Sequence, residues 1–404
     1  MDADKVEAHR QALRQAEKDK WLGAKAPTAS INNPKWFVHT GTKQRPTQER
    51  RALHDRILND WKNQVPNPGK DKIAIMTAGP PGAGKTSARE SVQERLSPEG
   101  WRVIDPDEFK DNLLRQALDD GTFQDLVPES VRESGERFYP RELAPLVHDE
   151  SVRLAEQAQA QAIAAGENVV IDGTLAGRDK PDRIAQSLTE AGYTIHVVDV
   201  ETTADVSRER VMGRWQEPYI EAEEKAERGE DVSKELGGRW VNSEVVDFMF
   251  SKEDSPYSIC ADNAEALIHK HPAVQEVDRY FTPNAQSGAE RVESWQRDEN
   301  GKVTHRTYDN PQKQEQGQQK EQGKEQGRDQ SREVRSVAGQ SSIEALRNKV
   351  GGREAAAEPR TPGAARTNSV PSQAQAQNQT RAVPAKAPQR DDKRREDRTR
   401  GQER

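Results

Sequence analysis

Three groups of residues in this sequence have the types and spacing for moving a phosphoryl group. The first is Gly79-Pro80-Pro81-Gly82-Ala83-Gly84-Lys85-Thr86, followed by Ser87, which satisfies the pattern Gly-x-x-x-x-Gly-Lys-Thr. Glycines let successive backbone amides turn inward into a concave anion site, and a helix starting behind them adds the positive end of its dipole. Lys85 then bridges the β- and γ-phosphates of a nucleotide, and Thr86 offers a hydroxyl ligand to Mg²⁺. An apolar run ahead of the motif and a helical stretch behind it give the context that separates a nucleotide-binding loop from a chance glycine-rich turn.

The second group is acidic. Phosphoryl transfer to an alcohol needs a base for the acceptor hydroxyl and cations for the moving phosphoryl group. Asp107 follows the short strand Arg102-Val103-Ile104 by a few residues, which places it beside the phosphate loop at the open edge of a sheet. Asp105 and Asp107 flank Pro106 ahead of a helix over 108–118, so a helix-cap role competes with the base role, and the two aspartates divide them naturally. Asp172-Gly173-Thr174 ends another strand in the same crevice, where the acid either orients substrate or a metal-bound water, or closes an Asx turn. The third group is Arg214 and Arg239, placed in polar stretches read as helical. An arginine there is ordinarily solvated, yet a phosphoryl-transfer site wants one or two arginines closing over the γ-phosphate. Neither an Asn-Lys-x-Asp guanine motif nor an apolar run ending in Asp-Glu accompanies the loop, which points away from GTPases and helicase-like motors.

These residues need a scaffold, and the apolar pattern supplies one. Ile73–Ala78, Arg102–Ile104, Asn168–Ile171 and Thr194–Val200 read as short buried strands alternating with helices, including a long helical region over 141–165 and another over 182–191. The pattern predicts an α/β fold in which a parallel sheet is flanked by helices, with ligands at the carboxyl ends of the strands. Upstream, a helix from Pro46–Glu49 to Gln64 carries Leu53, Ile57, Leu58 and Trp61 at helical spacing, and residues 1–22 read as a polar helix with little to bury. The division expected is an N-terminal helical, polar extension over 1–44, a kinase domain over 45–284 and a low-complexity, mostly disordered tail over 285–404.

Composition supports that division. Only 32% of the 404 residues are hydrophobic and the mean hydropathy is −1.07, low for a uniformly packed chain. No Trp, Phe or Tyr follows Tyr308, so the last 96 residues lack the means for a core. That tail carries 20 Lys+Arg against 14 Asp+Glu, leaving 42 against 55 in the first 308 residues. An acidic body is unsuited to coating nucleic acid and gives no strong nucleic-acid signal. Within the tail, Glu-Gln-Gly recurs at 315–317, 321–323 and 325–327, Ser341–Val350 reads as one short helix, and a basic-leaning end covers 393–404. Cys260 is the only cysteine, which excludes an intrachain disulfide. No apolar run approaches the ~20 residues of a membrane span, and the opening residues lack a secretory h-region. The expected location is cytoplasmic, with signal-less export left open.

Over about residues 45–280 the motifs, in order, resemble the zeta toxin family, P-loop kinases that phosphorylate the 3′-hydroxyl of the sugar of UDP-N-acetylglucosamine. The resemblance implies nucleotide-phosphate binding by Gly79 through Ser87, with Mg²⁺ on Thr86 and ATP as phosphoryl donor. Ile104-Asp105-Pro106-Asp107-Glu108-Phe109-Lys110 resembles the segment whose second acid is the catalytic base, which implies that role for Asp107. Asp172, Gly173 and Thr174 resemble the strand-end motif that contacts the sugar nucleotide. Arg214, in the stretch Ser207 to Arg214-Trp215, and Arg239, in Gly238-Arg239-Trp240-Val241, resemble the two arginines that act on the transferred phosphoryl group. The family also implies a protein antitoxin as partner. Two other functions share features of this chain: a P-loop kinase of another small molecule such as NAD, and an effector whose basic tail directs its delivery.

Overall fold

The computed structural model describes residues 2–308, apart from Thr42, Glu253 and Asp254. Expectations for the repeats at 315–327, the helix at 341–350 and the basic end at 393–404 lie outside the described residues.

The chain opens with helix α1 (Ala3–Lys18) and a small hairpin, β1 (Phe37–Thr40) and β2 (Lys43–Pro46), before helix α2 (Gln48–Gln64). The side chain of Thr47 caps α2 by accepting from the Arg50 amide. One face of α2 buries Leu53, Ile57, Leu58 and Trp61 as their spacing predicts, each worth roughly 1.5–3 kcal/mol on full burial. Then the alternation begins: β3 (Ile73–Ala78), α3 (Lys85–Leu96), β4 (Arg102–Ile104), α4 (Pro106–Asp119) and the short α5 (Glu129–Ser134). It continues with α6 (His148–Ala164), β5 (Val169–Ile171), α7 (Asp179–Glu190), β6 (Thr194–Thr202), α8 (Ala204–Glu227), α9 (Ser243–Met249), α10 (Ile259–Lys270) and β7 (Val274–Thr282). Two final strands follow, β8 (Glu290–Arg297) and β9 (Val303–Thr307).

Seven strands form one sheet in the order β4-β5-β3-β6-β7-β8-β9. The five from β4 to β7 pair in parallel, and β8 and β9 pair antiparallel at one edge. Alternate strand residues serve opposite faces. Ile75, Val170, Val198 and Val200 meet Ala88 and Val92 of α3, whereas Met76, Ile171, Ile195 and Val197 join the larger core on the other side with residues of α4, α6 and α10. This is the expected α/β architecture.

One boundary and one helix differ from expectation. The sheet runs through Thr307, beyond the expected limit at 284; β8 has just two large apolar residues, Val292 and Trp295, both buried, so its periodicity is hard to see. Polar contacts fill the gap: Arg279 pairs with Glu293 at 2.6 Å and its guanidinium lies 4.8 Å from the centre of the Trp295 ring. At the other end, α1 buries Val6, His9, Leu13 and Ala16 rather than little. The stripe has helical spacing, but one of its four members is a histidine, so a count of apolar residues underreads it.

Candidate active site

The phosphate loop leaves β3 through Gly79, whose φ is +117° and where an added Cβ would lie 1.9 Å from the Val200 carbonyl oxygen. Only glycine fits there. Gly82 and Gly84 also have positive φ, and Gly84 caps α3 in the left-handed conformation. The loop carbonyls are engaged one after another. Lys85 Nζ donates to the oxygens of Gly79 and Pro80, both at 3.0 Å, and Ser207 Oγ donates to that of Pro81 at 2.7 Å. Arg210 Nη1 donates to the Gly82 oxygen at 3.0 Å and Thr282 Oγ1 to that of Ala83 at 2.8 Å. Helix α8 and strand β7 therefore brace the loop in a conformation suited to anions. Burial lowers the pKa of the Lys85 ammonium, against the pull of the nearby Asp172 carboxylate.

The strand-end acid is tied to the same loop. Thr77 Oγ1 donates to Asp172 Oδ1 at 2.6 Å and accepts from the Gly173 amide at 2.9 Å, while the Gly79 amide donates to the Thr174 carbonyl at 3.0 Å. Across from β5, the two aspartates at the start of α4, Asp105 at its N-cap and Asp107 in its first turn, divide their work. Asp105 caps the helix by accepting from the Asp107 amide at 2.7 Å, and burial together with Asp172 and Asp107 pushes its carboxyl up to about 6. Asp107 is left free to face the cleft, half exposed, with Lys110 Nζ at 2.7 Å and Arg239 Nη1 at 3.3 Å. Burial resists its charge, but Lys110 and Arg239 outweigh that effect and hold its carboxyl below the ordinary aspartate value. At neutral pH it is an ionised carboxylate.

Lys85, Thr86, Asp107, Asp172, Gly173, Thr174, Arg214 and Arg239 all line one cleft of about 940 Å³. Arg214 is exposed on α8. Arg239 does not sit in a helix, contrary to the expectation from its polar surroundings; it lies in the irregular segment between α8 and α9. Gly237 takes φ +67°, and Gly238 passes so close to Trp215 that an added Cβ would lie 1.8 Å from its carbonyl oxygen. Gly238 lets the segment, already irregular after the end of α8 at Glu227, lie directly against α8. Arg239 then reaches Asp111 at 2.8 Å as well as Asp107, and Arg141 grips Asp111 from the other side at 2.8 Å.

Other cleft residues escaped sequence reasoning. Lys110 lies three positions after Asp107 on one helix, a spacing at which a pair was legible. Arg141, Arg153 and Lys180 add positive charge at the cleft, and nothing in their local sequence marks them. His148 also lines it, and burial, with Lys110 nearby, lowers its pKa so that the imidazole is neutral at pH 7. Arg178, on the loop after Thr174, donates Nε–H to Asn263 Oδ1 at 3.3 Å. Among the described residues no three His, Cys, Asp or Glu side chains converge as a metal cage, and no helix is long and apolar enough to cross a membrane.

Residues 55–255 match the family model described as Zeta toxin. Toxin PezT of Streptococcus pneumoniae serotype 4 is 26% identical over 151 residues, which cover 37% of this chain and 53% of that protein. The aligned stretch thus spans about half the length of this curated relative. Among solved structures, one from the PezAT chromosomal toxin–antitoxin system of Streptococcus pneumoniae is similar at 20% identity and a TM-score of 0.40, covering 61% of this chain and 80% of that one. The complex AvrRxo1-ORF1:AvrRxo1-ORF2 with sulphate ions is similar at 16% identity and a TM-score of 0.41, covering 64% and 70%.

Proposed function

Since residues 55–255 place this chain in the zeta toxin family, we propose that it is an ATP-dependent kinase that phosphorylates the 3′-hydroxyl of UDP-N-acetylglucosamine as the toxin of a toxin–antitoxin pair. The observation that carries this reading is the shared cleft, in which an ionised Asp107, a braced phosphate loop and two arginines come together.

Lys85 and the loop from Gly79 to Ser87 hold the nucleotide phosphates. Asp107 takes the proton of the acceptor hydroxyl as that oxygen bonds to the γ-phosphorus. The bond from the γ-phosphorus to the β–γ bridging oxygen breaks, and its electron pair leaves with ADP. Arg214 and Arg239 stabilise the charge on the phosphoryl oxygens, and Asp172, Gly173 and Thr174 contact the acceptor. Arg141, Arg153 and Lys180 favour an acceptor that carries phosphate, as a sugar nucleotide does.

An oxygen donor set of the kind Mg²⁺ prefers is present: the Thr86 hydroxyl in the cleft with Asp105 and Asp172, whose mutual proximity helps raise the Asp105 carboxyl. Thr86 would hold the ion, with Asp172 orienting its water, and the bound ion would neutralise phosphate charge. A protein antitoxin as partner belongs to the same proposal; the family and the toxin name of the pneumococcal relative support it.

The test is phosphate transfer from labelled ATP with Mg²⁺ to a panel of UDP-N-acetylglucosamine, NAD and nucleosides, beside Asp107→Ala. Label on the sugar nucleotide that vanishes in the variant is expected. Label on another acceptor keeps the mechanism and replaces the substrate, and hydrolysis without transfer removes the kinase reading.

A further inference from the structure

Of the arginines lining the cleft, the two assigned to the phosphoryl group are each followed directly by a tryptophan, Arg214-Trp215 and Arg239-Trp240, and both indoles are tied to α1. Trp240 donates Nε1–H to Glu17 Oε1 of α1 at 2.8 Å. Trp215, almost fully buried, donates Nε1–H to Glu142 Oε1 at 2.8 Å, and the same oxygen is hydrogen-bonded with His9 Nε2 of α1 at 3.0 Å. His9 also stacks on Tyr219, one turn further along α8, with ring centres 4.4 Å apart and planes 3° from parallel. The two indoles meet edge to face at 5.3 Å, so the anchors of both arginines form one cluster with α1 on it.

A helix that merely covers an apolar surface needs only an apolar stripe, which Val6, Leu13 and Ala16 already supply. Glu17 and His9 do something further, because they fix the polar edges of the residues next to both arginines. Before Arg239 the segment is held by the close crossing of Gly238 over the Trp215 carbonyl and by the Arg141 amide donating to the Leu236 carbonyl at 2.9 Å, and the Trp240 anchor holds it directly after Arg239. Helix α1 precedes the matched family segment, which begins at residue 55.

We propose that α1 is a positioning element of the phosphoryl-transfer site: Glu17 fixes Arg239 through Trp240, and His9 fixes Arg214 through Glu142 and Trp215. The inference rests on the kinase reading for the role of the two arginines, while the positioning itself is a matter of structure. Its magnitude follows from the sensitivity of positioned groups, for which a misplacement of about 1 Å costs about 100-fold in rate.

The experiment uses full-length protein. Glu17→Ala and Trp240→Phe remove the acceptor and the donor of one hydrogen bond, whereas Glu17→Gln keeps an acceptor oxygen. Lys5→Ala, which breaks only the exposed pair with Glu227, is the control on the same helix. With the acceptor found in the panel, kcat should fall about tenfold or more in Glu17→Ala and Trp240→Phe, with KM for ATP changed by less than about twofold. The double variant should lose no more than either single one, Glu17→Gln should recover, and Lys5→Ala should match the wild type. Should Glu17→Ala fail to fold, Trp240→Phe, which keeps an aromatic ring in place, decides. A second readout needs no turnover: the rate at which an arginine-directed dicarbonyl labels Arg239, read by peptide mass spectrometry, should rise in Glu17→Ala and Trp240→Phe and stay at the wild-type value in Glu17→Gln. Wild-type kcat and labelling in folded Trp240→Phe, or an equal loss in Glu17→Gln, overturns the positioning role. Wild-type protein that transfers phosphate to no acceptor overturns the kinase reading alone, and the labelling rates still decide the positioning.

Discussion

Arg239 is shared between two aspartates of one helix, with Nη1 3.3 Å from Asp107 Oδ1 and Nη2 2.8 Å from Asp111 Oδ1. Asp111 is nearly buried and is gripped a second time by Arg141, whereas Asp107 is half exposed. The guanidinium is thus anchored at Asp111 and more loosely placed at Asp107, an arrangement that lets it turn toward a phosphoryl group without losing its position.

Replacing Arg239 by Gln should lower kcat about 10²–10³-fold, the usual effect of losing one donor aimed at developing charge. It should also move the acid side of the pH–rate profile. Arg239 and Lys110 together hold the Asp107 carboxyl low against burial, so loss of Arg239 lets its pKa rise. The base then protonates at a higher pH as acid is added, and activity near pH 5 should fall more than activity near pH 8. A kcat/KM profile whose acid limb stays in place would separate Arg239 from Asp107.

Gly238→Ala puts a methyl group 1.8 Å from the Trp215 carbonyl oxygen, and the neighbouring atoms are backbone that cannot swing aside. The segment must lift off α8, at a cost of about 2–4 kcal/mol in the range of backbone clashes. Thermal denaturation should show a clearly lower Tm, and the residual folded protein should transfer phosphate poorly because Arg239 moves with the segment. A Tm within 1 °C of wild type, to take a rough limit, would contradict the tight crossing.

The parts of this site that sequence could disclose are those in which one local pattern carries the whole signal. The phosphate loop is such a case, since glycine spacing, a preceding apolar strand and a following helix are contiguous. The division of Asp105 and Asp107 into cap and cleft acid was legible for the same reason, in the Asp-Pro-Asp start of α4. Arg239 was harder, because its position depends on how closely Gly238 passes Trp215, residues that are distant in sequence. Arg210 lies four residues before Arg214 but bonds carbonyls of the phosphate loop and of 284–287, contacts that no periodicity encodes. Strands β8 and β9 were missed because polar pairs such as Arg279 with Glu293, rather than alternating apolar residues, attach them to the sheet.

Arg210 supplies a prediction of its own. Its guanidinium joins the Gly82 oxygen at 3.0 Å to those of Ala285 and Ser287, both at 2.8 Å. Lysine cannot span these acceptors, so Arg210→Lys and Arg210→Ala should behave alike. A loosened loop should bind ATP about tenfold more weakly, equivalent to about 1.4 kcal/mol, with a smaller change in kcat. Calorimetric titration with a non-hydrolysable ATP analogue gives the number, and unchanged affinity in both variants would show that Ser207 and Thr282 brace the loop unaided.

Glu150 ties α6, one wall of the cleft, to α2. It is fully buried, accepts from Arg50 Nε at 2.6 Å and Nη2 at 2.9 Å, and is hydrogen-bonded with His54 Nε2 at 2.6 Å. Burial opposes its charge, but His54 and Arg50 outweigh burial and hold its pKa at about 2, below the ordinary glutamate value of 4.5. Because the folded-state pKa is depressed, the stabilisation is complete above the unfolded value and is lost as pH falls from about 4.5 toward about 2. The shift corresponds to roughly 3 kcal/mol at neutral pH. Glu150→Gln removes the titration and leaves the Arg50 guanidinium buried without its counter-charge, which should cost about 3–5 kcal/mol at pH 7. Denaturant unfolding at pH 7 and pH 3.5 tests both statements, because the gap between wild type and variant should narrow at the lower pH. A gap that stays constant would mean that Glu150 has the same pKa in the folded and unfolded protein, so that Arg50 and His54 do not favour its charge, and a gap that widens at pH 3.5 would mean that the folded protein holds Glu150 neutral.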